Sequence, residues 1–307
     1  MRRRGASIDG ILLLDKPVGM TSNAALVQSR RLLGAAKAGH TGTLDPLATG
    51  LLPICFGEAT KFAGLLLDAD KTYEAVVALG ATTTTGDAEG EVVWRGEVSG
   101  VGPRIEPVLR QFLGPQSQMP PMYSALKHQG RPLYEYARAG QVVERAAREI
   151  TVHALELQEF DGETLRIRVR VSKGTYVRTL AQDIGASLGC GAHLRGLRRT
   201  AIGEMTVSSA STLEQLGALS AEQRGRLLQP TDLLVRSFPR LDLAEPWDAA
   251  IRRGQRVPAP SEVGRGLVGL YDRAGGFIGV GEVCAPGEVA ARRLISEAAA
   301  AVPPLGA

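Results

Sequence analysis

The sequence predicts an α+β fold in which a large mixed domain is followed by a small β-rich domain. Residues 8–15 form a short apolar run typical of a strand, and residues 72–79 place apolar side chains at every second position, as in a strand buried on one face. Residues 22–33 and 105–112 are predicted to form helices between such strands. After Asp232 the composition changes, and prolines separate a second group of strand-like segments from the first.

The elements can be justified in chain order from their local signals. Ser22 is a residue type that caps helices, so the first helix is predicted to begin there, with Thr21 as a second capping residue. Residues 86–90 (GDAEG) predict a turn, and residues 116–148 mix proline, glycine, tyrosine and basic residues in a way that interrupts the sheet pattern. Near the end of the chain, residues 267–271 and 277–283 flank a glycine-containing loop and predict a β-hairpin.

Length and composition fit a protein of more than one domain. The chain has 307 residues, of which 44% are hydrophobic, which is enough to bury a substantial core. No run of 18 uncharged apolar residues is present, and residues 1–4 (MRRR) do not lead into a signal-peptide core. The three cysteines are widely separated and odd in number, which argues against a disulfide framework. A cytoplasmic location without a membrane partner is therefore predicted.

Residues 40–50 (HTGTLDPLATG) form the most informative segment, because they place a carboxylate inside a constrained turn. Pro46 fixes its own φ and pushes Asp45 towards an extended conformation, while Gly42 and Gly50 allow backbone shapes that other residues resist. An isolated Asp-Pro would more simply cap a helix formed by the apolar run at residues 47–54. The length of the whole motif favours a carboxylate held for chemistry instead.

Seven segments of the chain together resemble the pseudouridine synthases of the TruB family, which isomerise a uridine in the TΨC arm of tRNA. They span roughly residues 8–235 and are residues 14–22 (LDKPVGMTS), 40–50, 57–61 (GEATK), 71–75 (KTYEA), 118–127 (QMPPMYSALK), 172–180 (SKGTYVRTL) and 191–200 (GAHLRGLRRT). The resemblance implies a largely antiparallel central sheet in residues 1–235, with a mobile thumb insertion at about residues 116–148. It implies a small PUA-like RNA-binding domain in residues 236–307.

The resemblance also implies the site residues, each of which has a plainer alternative. Asp45 is the expected nucleophile, and Arg178 is expected to pair with it bidentately, although Arg178 could be a phosphate contact instead. Tyr73 would stack on the flipped base and help move the C5 proton, while Tyr176 and Leu197 would line the pocket; Tyr73 and Leu197 also fit ordinary core residues. His40 would fill the space that the base leaves, or serve as a hydrogen-bonded loop histidine.

Uridine isomerisation involves no change of oxidation state, so neither a hydride carrier nor a metal is required, and no cofactor is expected. Cys190 and His193 are three residues apart but lack a second half-site for zinc, and no nucleotide-binding signature is present. Lys16 is interpreted as a support for the Asp45 loop or as an RNA contact. Lys61 and Lys127 are candidate phosphate contacts or solvated lysines.

Charge distribution favours a nucleic-acid partner in the middle of the chain. The net charge is only +4, but residues 164–199 contain eight basic residues and Asp183 as the single acidic one. Arg166, Arg168 and Arg170 alternate with apolar residues, so they are expected on one face of a strand, either as a phosphate footprint or as a solvated surface. We expect tRNA binding by a monomer without an obligate protein partner; an RNA-guided synthase or a tRNA-folding chaperone are the alternatives.

Overall fold

Two β-sheets organise the chain in a computed structural model that describes residues 5–296. The first is a ten-stranded sheet built from strands in the first 212 residues, and the second is a five-stranded sheet that begins at Arg240. Helices pack against the first sheet at several positions along the chain. This arrangement confirms the α+β fold and the β-rich C-terminal part. The outer ends of both predicted domains, residues 1–4 and 297–307, lie outside the described residues.

The strands and helices have the following bounds. The strands are β1 (Gly10–Lys16), β2 (Ala38–His40), β3 (Ala48–Phe56), β4 (Lys71–Leu79), β5 (Ala81–Thr83), β6 (Val92–Arg95), β7 (Gly114–Gln118), β8 (Lys127–His128), β9 (Arg131–Pro132), β10 (Arg148–Phe160), β11 (Thr164–Val171), β12 (Ala192–Ile202), β13 (Met205–Thr206), β14 (Ser211–Thr212), β15 (Arg240–Leu243), β16 (Val257–Pro258), β17 (Gly266–Asp272), β18 (Phe277–Ala285) and β19 (Glu288–Leu294). The helices are α1 (Ser22–Leu33), α2 (Gly102–Gln111), α3 (Leu133–Arg138), α4 (Val177–Leu188), α5 (Leu213–Ala218), α6 (Ala221–Arg226) and α7 (Trp247–Arg252). Four short 3₁₀ segments lie at Gly57–Lys61, Ala63–Leu67, Val207–Ser209 and Thr231–Val235.

The large sheet is mixed but largely antiparallel, as expected. Its main strand order is β14-β1-β3-β12-β4-β11-β10-β7, with β2 paired to β3 and β13 paired to β12. Within the described residues only the β1–β14 and β3–β12 pairs of this sheet are parallel. Strand β12 therefore lies between β3, which follows the Asp45 loop, and β4, which carries Tyr73. This order brings segments far apart in sequence to one region of the sheet.

The arginine-rich strand β11 shows which face of the sheet is the core. Its apolar residues are buried together with α2 and α4, whereas Arg166, Arg168 and Arg170 are exposed on the opposite face. Arg168 lies opposite Glu74 of β4, and Arg166 forms an ion pair with Glu159 over 3.0 Å. The predicted alternation is correct, but these arginines lie on the face opposite the apolar side of β4 that includes Tyr73. They do not form one footprint with the Asp45 site.

One alternative and one capping assignment from the sequence were wrong for physical reasons. The apolar run at residues 47–54 forms strand β3 rather than a helix, because it pairs with β1, β2 and β12 and is buried along most of its length. Helix α1 spans residues 22–33 as predicted, and Thr21 caps it, because its hydroxyl accepts the Ala24 N–H over 3.1 Å; Ser22 is the first helical residue rather than the cap. The Ser22 side chain is thereby free to bond elsewhere. Local propensity identified capping and apolar residue types correctly, but it did not indicate which groups these residues would contact.

The segment between β7 and β10 leaves the sheet, as expected of an insertion. It contains the two-residue strands β8 and β9 and the short helix α3, and it is called the thumb below (residues 119–147). Within it, the Arg131 guanidinium lies 4.8 Å from the ring centroid of Tyr136, and that of Arg138 lies 5.4 Å from the ring centroid of Tyr134. These cation–π pairs give the thumb a basic and aromatic surface.

The C-terminal sheet is joined to the large sheet by an apolar interface. Val280 belongs to the same buried cluster as Ile11 and Leu51, and the rings of Phe62 and Phe277 lie 5.4 Å apart edge to face. Two hydrogen bonds close the contact: Lys61 Nζ donates to Leu294 O over 3.1 Å, and Ser296 N–H donates to Glu58 Oε2 over 2.6 Å. Lys61 is also paired with Glu58, so it serves the interface between the two sheets.

Candidate active site

Asp45 lies in the loop that joins β2 to β3, and the start of α1 holds this loop in place. The Ser22 hydroxyl donates to Leu44 O over 3.0 Å and accepts the Leu44 N–H over 2.8 Å, so both main-chain groups of Leu44 are satisfied by one buried side chain. Leu44 itself is buried in the core beneath the loop. The backbone next to Asp45 is therefore fixed, while the Asp45 side chain remains 42% exposed at the surface of the site.

Lys16 supports the same loop from the other side. Its ammonium is fully buried and donates to Pro17 O over 2.9 Å and to Met20 O over 2.6 Å, which closes the turn after β1. Gly19 N–H then donates to Pro46 O over 2.8 Å and joins that turn to the Asp45 loop. Burial lowers the pKa of Lys16 to about 8, although the nearby Asp45 carboxylate opposes this shift. The geometry matches a supporting role for Lys16.

Arg199 is a second buried cation against this loop, and the sequence reasoning had placed it only among the basic residues. Its side chain is 2% exposed and donates to Leu51 O over 2.8 Å, to Gly42 O over 3.3 Å and to Thr43 O over 3.5 Å. Gly50, with φ of 99°, lies so close to the Arg199 backbone that a Cβ atom there would clash with it. Arg199 therefore ties β12 to both ends of the Asp45 loop.

Replacing Arg199 with Met is expected to slow any reaction that Asp45 carries out by about 10- to 100-fold, because small displacements of a reacting group have effects of this order. Met fills a similar volume but donates no hydrogen bond to the carbonyls of Gly42 and Thr43. Hydrogen exchange at the amides of residues 41–45 should rise selectively, since the loop loses these bonds. Arg195→Met, on the same strand but at an exposed position, is the matched control. Unchanged exchange in the Arg199 variant would contradict this role.

Arg178 in the first turn of α4 contacts Asp45 directly. Its Nε lies 3.1 Å from Asp45 Oδ2, and its side chain is only 6% exposed. The expected bidentate pairing is not present, because the other guanidinium nitrogens have other partners: Nη1 donates to Thr85 O over 2.9 Å and Nη2 donates to Tyr123 O over 2.6 Å. A single contact thus aims the carboxylate while the backbone holds the guanidinium.

Asp87 is the site residue that sequence reasoning missed, since it was interpreted only as part of a turn. Its carboxylate is 4% exposed, and its Oδ2 lies 3.5 Å from Arg178 Nη1. Thr85 Oγ1–H donates to Asp87 Oδ1 over 2.5 Å, and Glu89 N–H donates to the same oxygen over 3.1 Å. Arg178 therefore lies between two carboxylates, of which Asp87 is buried and Asp45 is half-buried. An acidic residue in a conformationally restricted turn was the only signal in the sequence.

The electrostatics of the site leave Asp45 easier to protonate than an ordinary aspartate. Burial raises the pKa of Asp45, Asp87 raises it further, and Arg178 opposes both effects by favouring the charged form. The pKa of Tyr176 is also raised, chiefly because burial disfavours the phenolate. The pKa of His40 is lowered by burial and by Arg199, which favours a neutral imidazole at this position. The site therefore combines neutral rings with one accessible carboxylate.

The remaining predicted residues lie on elements that neighbour the Asp45 loop. Tyr73 on β4 and Leu197 on β12 each pack against two buried clusters, which meet where the Asp45 loop joins β3. Leu197 is in register with Ala48, three residues after Asp45, and Tyr176 immediately precedes α4. His40 ends β2 five residues before Asp45 and accepts the Gly42 N–H at Nδ1 over 3.4 Å. The structure thus brings the predicted side chains to one region of the sheet.

Two further features of the described part of the chain bear on function. Among residues 5–296, no cluster of three or more His, Cys, Asp or Glu side chains could hold a metal ion. None of the helices in that range is long and apolar enough to span a membrane. The site contains a carboxylate, a guanidinium, aromatic rings and an apolar wall, which is the side chain of Leu197. Such a set suits nucleophilic chemistry on a planar ring.

The fold and the site together define a pseudouridine synthase. The structure resembles the Cbf5 chain in an archaeal box H/ACA sRNP Nop10–Cbf5 complex, with a TM-score of 0.71 and 26% identity, covering 94% of this chain and 86% of that one. Among curated proteins, tRNA pseudouridine synthase B of Azoarcus sp. (strain BH72) is 58% identical over 94% of this chain and 95% of its own length. The enzyme of the same name from Ectopseudomonas mendocina (strain ymp) is 54% identical over 96% of this chain and 98% of its own.

Family models cover most of the chain in three consecutive matches. Residues 30–177 match the N-terminal domain of TruB family pseudouridylate synthases, and residues 178–236 match the tRNA pseudouridylate synthase B C-terminal domain. Residues 239–295 match the C-terminal region described as pseudouridine synthase II TruB. The chain belongs to the TruB family of pseudouridylate synthases, and the expected family is thereby confirmed.

Proposed function

We propose that this protein isomerises uridine to pseudouridine at position 55 in the TΨC loop of tRNA, with Asp45 as the nucleophile on a flipped-out base. The observation that carries the proposal is the contact between Arg178 Nε and Asp45 Oδ2 at 3.1 Å. It holds an accessible carboxylate beside an apolar wall and favours its ionised form. The relatives named tRNA pseudouridine synthase B support tRNA as the substrate.

The reaction needs a nucleophile and proton transfer, without a change of oxidation state. The N1–C1′ glycosidic bond breaks, the base turns, and a C5–C1′ bond forms; C5 loses a proton, and N1 gains one. A carboxylate that adds to C6 of the uracil, or attacks C1′ of the ribose, divides this change into easier steps. Asp45 supplies the carboxylate, and Arg178 keeps it ionised when the bound base removes water from the site.

The aromatic and apolar residues act on the base itself. A uridine inside the tRNA elbow must leave its stack to reach Asp45, which costs stacking energy that the pocket has to replace. Tyr73 offers a ring for stacking and a phenol near the C5 proton, while Tyr176 and Leu197 line the pocket on either side. His40, neutral because of its lowered pKa, fills the space that the base leaves. A neutral imidazole can stack between bases without placing an unpaired charge there.

Recognition of the RNA depends on shape and backbone contacts. The thumb carries Arg131 and Arg138 stacked on tyrosine rings, so that cations and aromatic faces are presented together. The C-terminal sheet, in a second domain that begins near residue 236, extends the surface available to the RNA. We infer that the enzyme acts as a cytoplasmic monomer, without the guide RNA and partner proteins of the H/ACA complex. The thumb is an insertion within this chain that we expect to face the tRNA, and it favours the stand-alone enzyme over the RNA-guided one.

The direct test is formation of pseudouridine in an unmodified tRNA transcript incubated with the purified chain alone. Product should be mapped by chemical labelling and primer extension, and it is expected at position 55 with no added cofactor. A transcript with cytidine at position 55 controls for the site, and Asp45→Asn controls for the enzyme. Wild type that binds tRNA but forms no product would overturn the stand-alone enzyme and favour an RNA-guided synthase or a chaperone.

A further inference from the structure

Gln118 is the first residue of the motif at residues 118–127, and it makes a specific side-chain contact near the site to which the proposed chemistry assigns no role. It is the last residue of β7 and is 4% exposed. Its amide forms two hydrogen bonds with the main chain of one residue: Tyr176 N–H donates to Oε1 over 2.8 Å, and Nε2 donates to Tyr176 O over 3.1 Å. A primary amide offers a donor and an acceptor side by side, so it can pair with both main-chain groups of one residue.

We propose that Gln118 is a positioning residue for the pseudouridine synthase reaction, which fixes the Tyr176 main chain and thereby aims Arg178 at Asp45. This inference rests on the proposed function of the site. Tyr176 is the N-cap residue of α4, and its own side chain makes no capping hydrogen bond. Helix N-termini leave main-chain N–H groups unpaired, and side chains from elsewhere can satisfy them. Gln118 accepts the main-chain N–H of Tyr176, the N-cap residue, from a strand 58 residues earlier in the chain.

The position of Arg178 follows from that of Tyr176. Tyr176 O also accepts the Leu180 N–H over 3.1 Å, so the carbonyl held by Gln118 belongs to the first turn of α4. Arg178 lies in this turn, and its side chain spans the distance between Asp45 and the buried Asp87. Since the guanidinium has little room, a small rotation of the turn changes its contact with Asp45. Rates respond strongly to such shifts in the positions of reacting groups.

The same contact links the site to the thumb, because the thumb begins directly after Gln118. Five residues later, Tyr123 O accepts a hydrogen bond from Arg178 Nη2 over 2.6 Å. The first segment of the thumb is thus attached to α4 at two places, Tyr176 and Arg178. A displacement of this segment would therefore change the contact between Arg178 and Asp45. Gln118 is the attachment that keeps the N-terminus of α4 in place.

The replacement Gln118→Glu separates positioning from a structural contribution. An ionised glutamate still accepts the Tyr176 N–H but cannot donate to Tyr176 O, whereas a protonated glutamate can do both. We therefore expect single-turnover pseudouridine formation to fall by roughly 30- to 100-fold at about pH 8. The ratio of variant to wild-type rates should then rise as the pH is lowered to about 5.5, because burial favours the protonated form. Dissociation constants for tRNA should change by less than about 3-fold.

The direction of the pH effect excludes one electrostatic explanation, an effect of the new charge on the pKa of Asp45. The charged and titratable groups around this position are Arg148, in register with Gln118, together with Arg178, Asp45 and Tyr176. A new negative charge that acted only by raising the pKa of Asp45 would make the rate ratio fall, not rise, at lower pH. Dividing by the wild-type rate at each pH removes the titration that both proteins share. A recovering ratio, together with a rate deficit in the uncharged Gln118→Met variant, therefore reports the hydrogen bond to Tyr176 O.

Gln116→Glu is the matched control, because it is the same substitution two residues earlier on β7. The Gln116 amide donates to Phe112 O over 2.6 Å, away from α4, so its rate should equal that of wild type at every pH. Gln118→Met keeps the side-chain length, removes both bonds and should show a rate deficit that does not vary with pH. It also provides a test if the glutamate variant does not fold.

The outcomes distinguish this inference from the proposed function. If wild type forms pseudouridine and Asp45→Asn does not, the site assignment stands, whatever the Gln118 variants do. The inference is overturned if folded Gln118→Glu and Gln118→Met keep single-turnover rates within about 3-fold of wild type, or if the glutamate ratio does not rise at low pH. A lower melting temperature with an unchanged rate would show that Gln118 only joins β7 to α4.

Discussion

Replacing Asp45 with Asn is expected to reduce the single-turnover rate of pseudouridine formation by about 10⁴-fold or more, the scale seen when a nucleophile is removed. The amide has almost the same shape as the carboxylate, so it preserves packing but cannot attack carbon. The tRNA dissociation constant should stay within about 3-fold of wild type, because most of the binding comes from the RNA backbone. Quench-flow measurement of the isomerised fraction and a filter-binding titration would measure the two quantities separately.

The matched control for this substitution is Asp68→Asn, which removes an exposed carboxylate paired with Lys173 over 2.7 Å. It should leave the rate unchanged. Folding stability provides a second check: because the folded protein raises the pKa of Asp45, folding favours its protonated form. Ionised Asp45 therefore reduces stability above the unfolded pKa, and Asp45→Asn should not lower the melting temperature at neutral pH. Turnover by Asp45→Asn at more than roughly one hundredth of the wild-type rate would contradict the nucleophile assignment.

Much of the fold could be predicted from local patterns, since period-two alternation and helix signals act over a few residues. The strand at residues 72–79 and the hairpin near the C-terminus are present, and no observed end differs from the predicted end by more than two residues. Helix α2 begins three residues earlier than predicted, because Pro103 fits the first turn, where its missing N–H costs nothing. End effects of this kind depend on caps rather than on periodicity.

Side-chain partners across long sequence separations could not be predicted in this way. The alternation in β11 indicated two faces, but nothing local indicated which face would lie beside the site, and the arginines lie on the other one. Asp87, Gln118 and Arg199 act through contacts with residues tens to more than a hundred positions away. Their residue types are common in turns, strands and basic segments, so the sequence carries no distinct signal for these roles. Only the assembled sheet order brings them to Asp45.

Arg178 is expected to be the second most sensitive position, with a rate loss of about 10³-fold for Arg178→Met, comparable to the loss of a charged group that positions a nucleophile. Without the guanidinium, the carboxylate of Asp45 is no longer held in one orientation. Its pKa also rises further, because Arg178 is the main group that opposes the effect of burial. The proposed reaction uses ionised Asp45 as the nucleophile, so the acid limb of the pH–rate profile should move to higher pH. Rates measured from about pH 5 to about pH 9 would reveal the shift.

The Arg178 variant should also lose stability, and a double variant separates the two effects. Arg178→Met leaves the buried Asp87 carboxylate without its cation, which costs roughly 3 kcal/mol in the free energy of unfolding. Adding Asp87→Asn removes that stranded charge, so the double variant should regain most of the lost stability. It should not regain activity, because Asp45 still has no guanidinium beside it. Recovery of the rate along with stability would mean that Arg178 only holds the fold together, and that its contact with Asp45 plays no part in the chemistry.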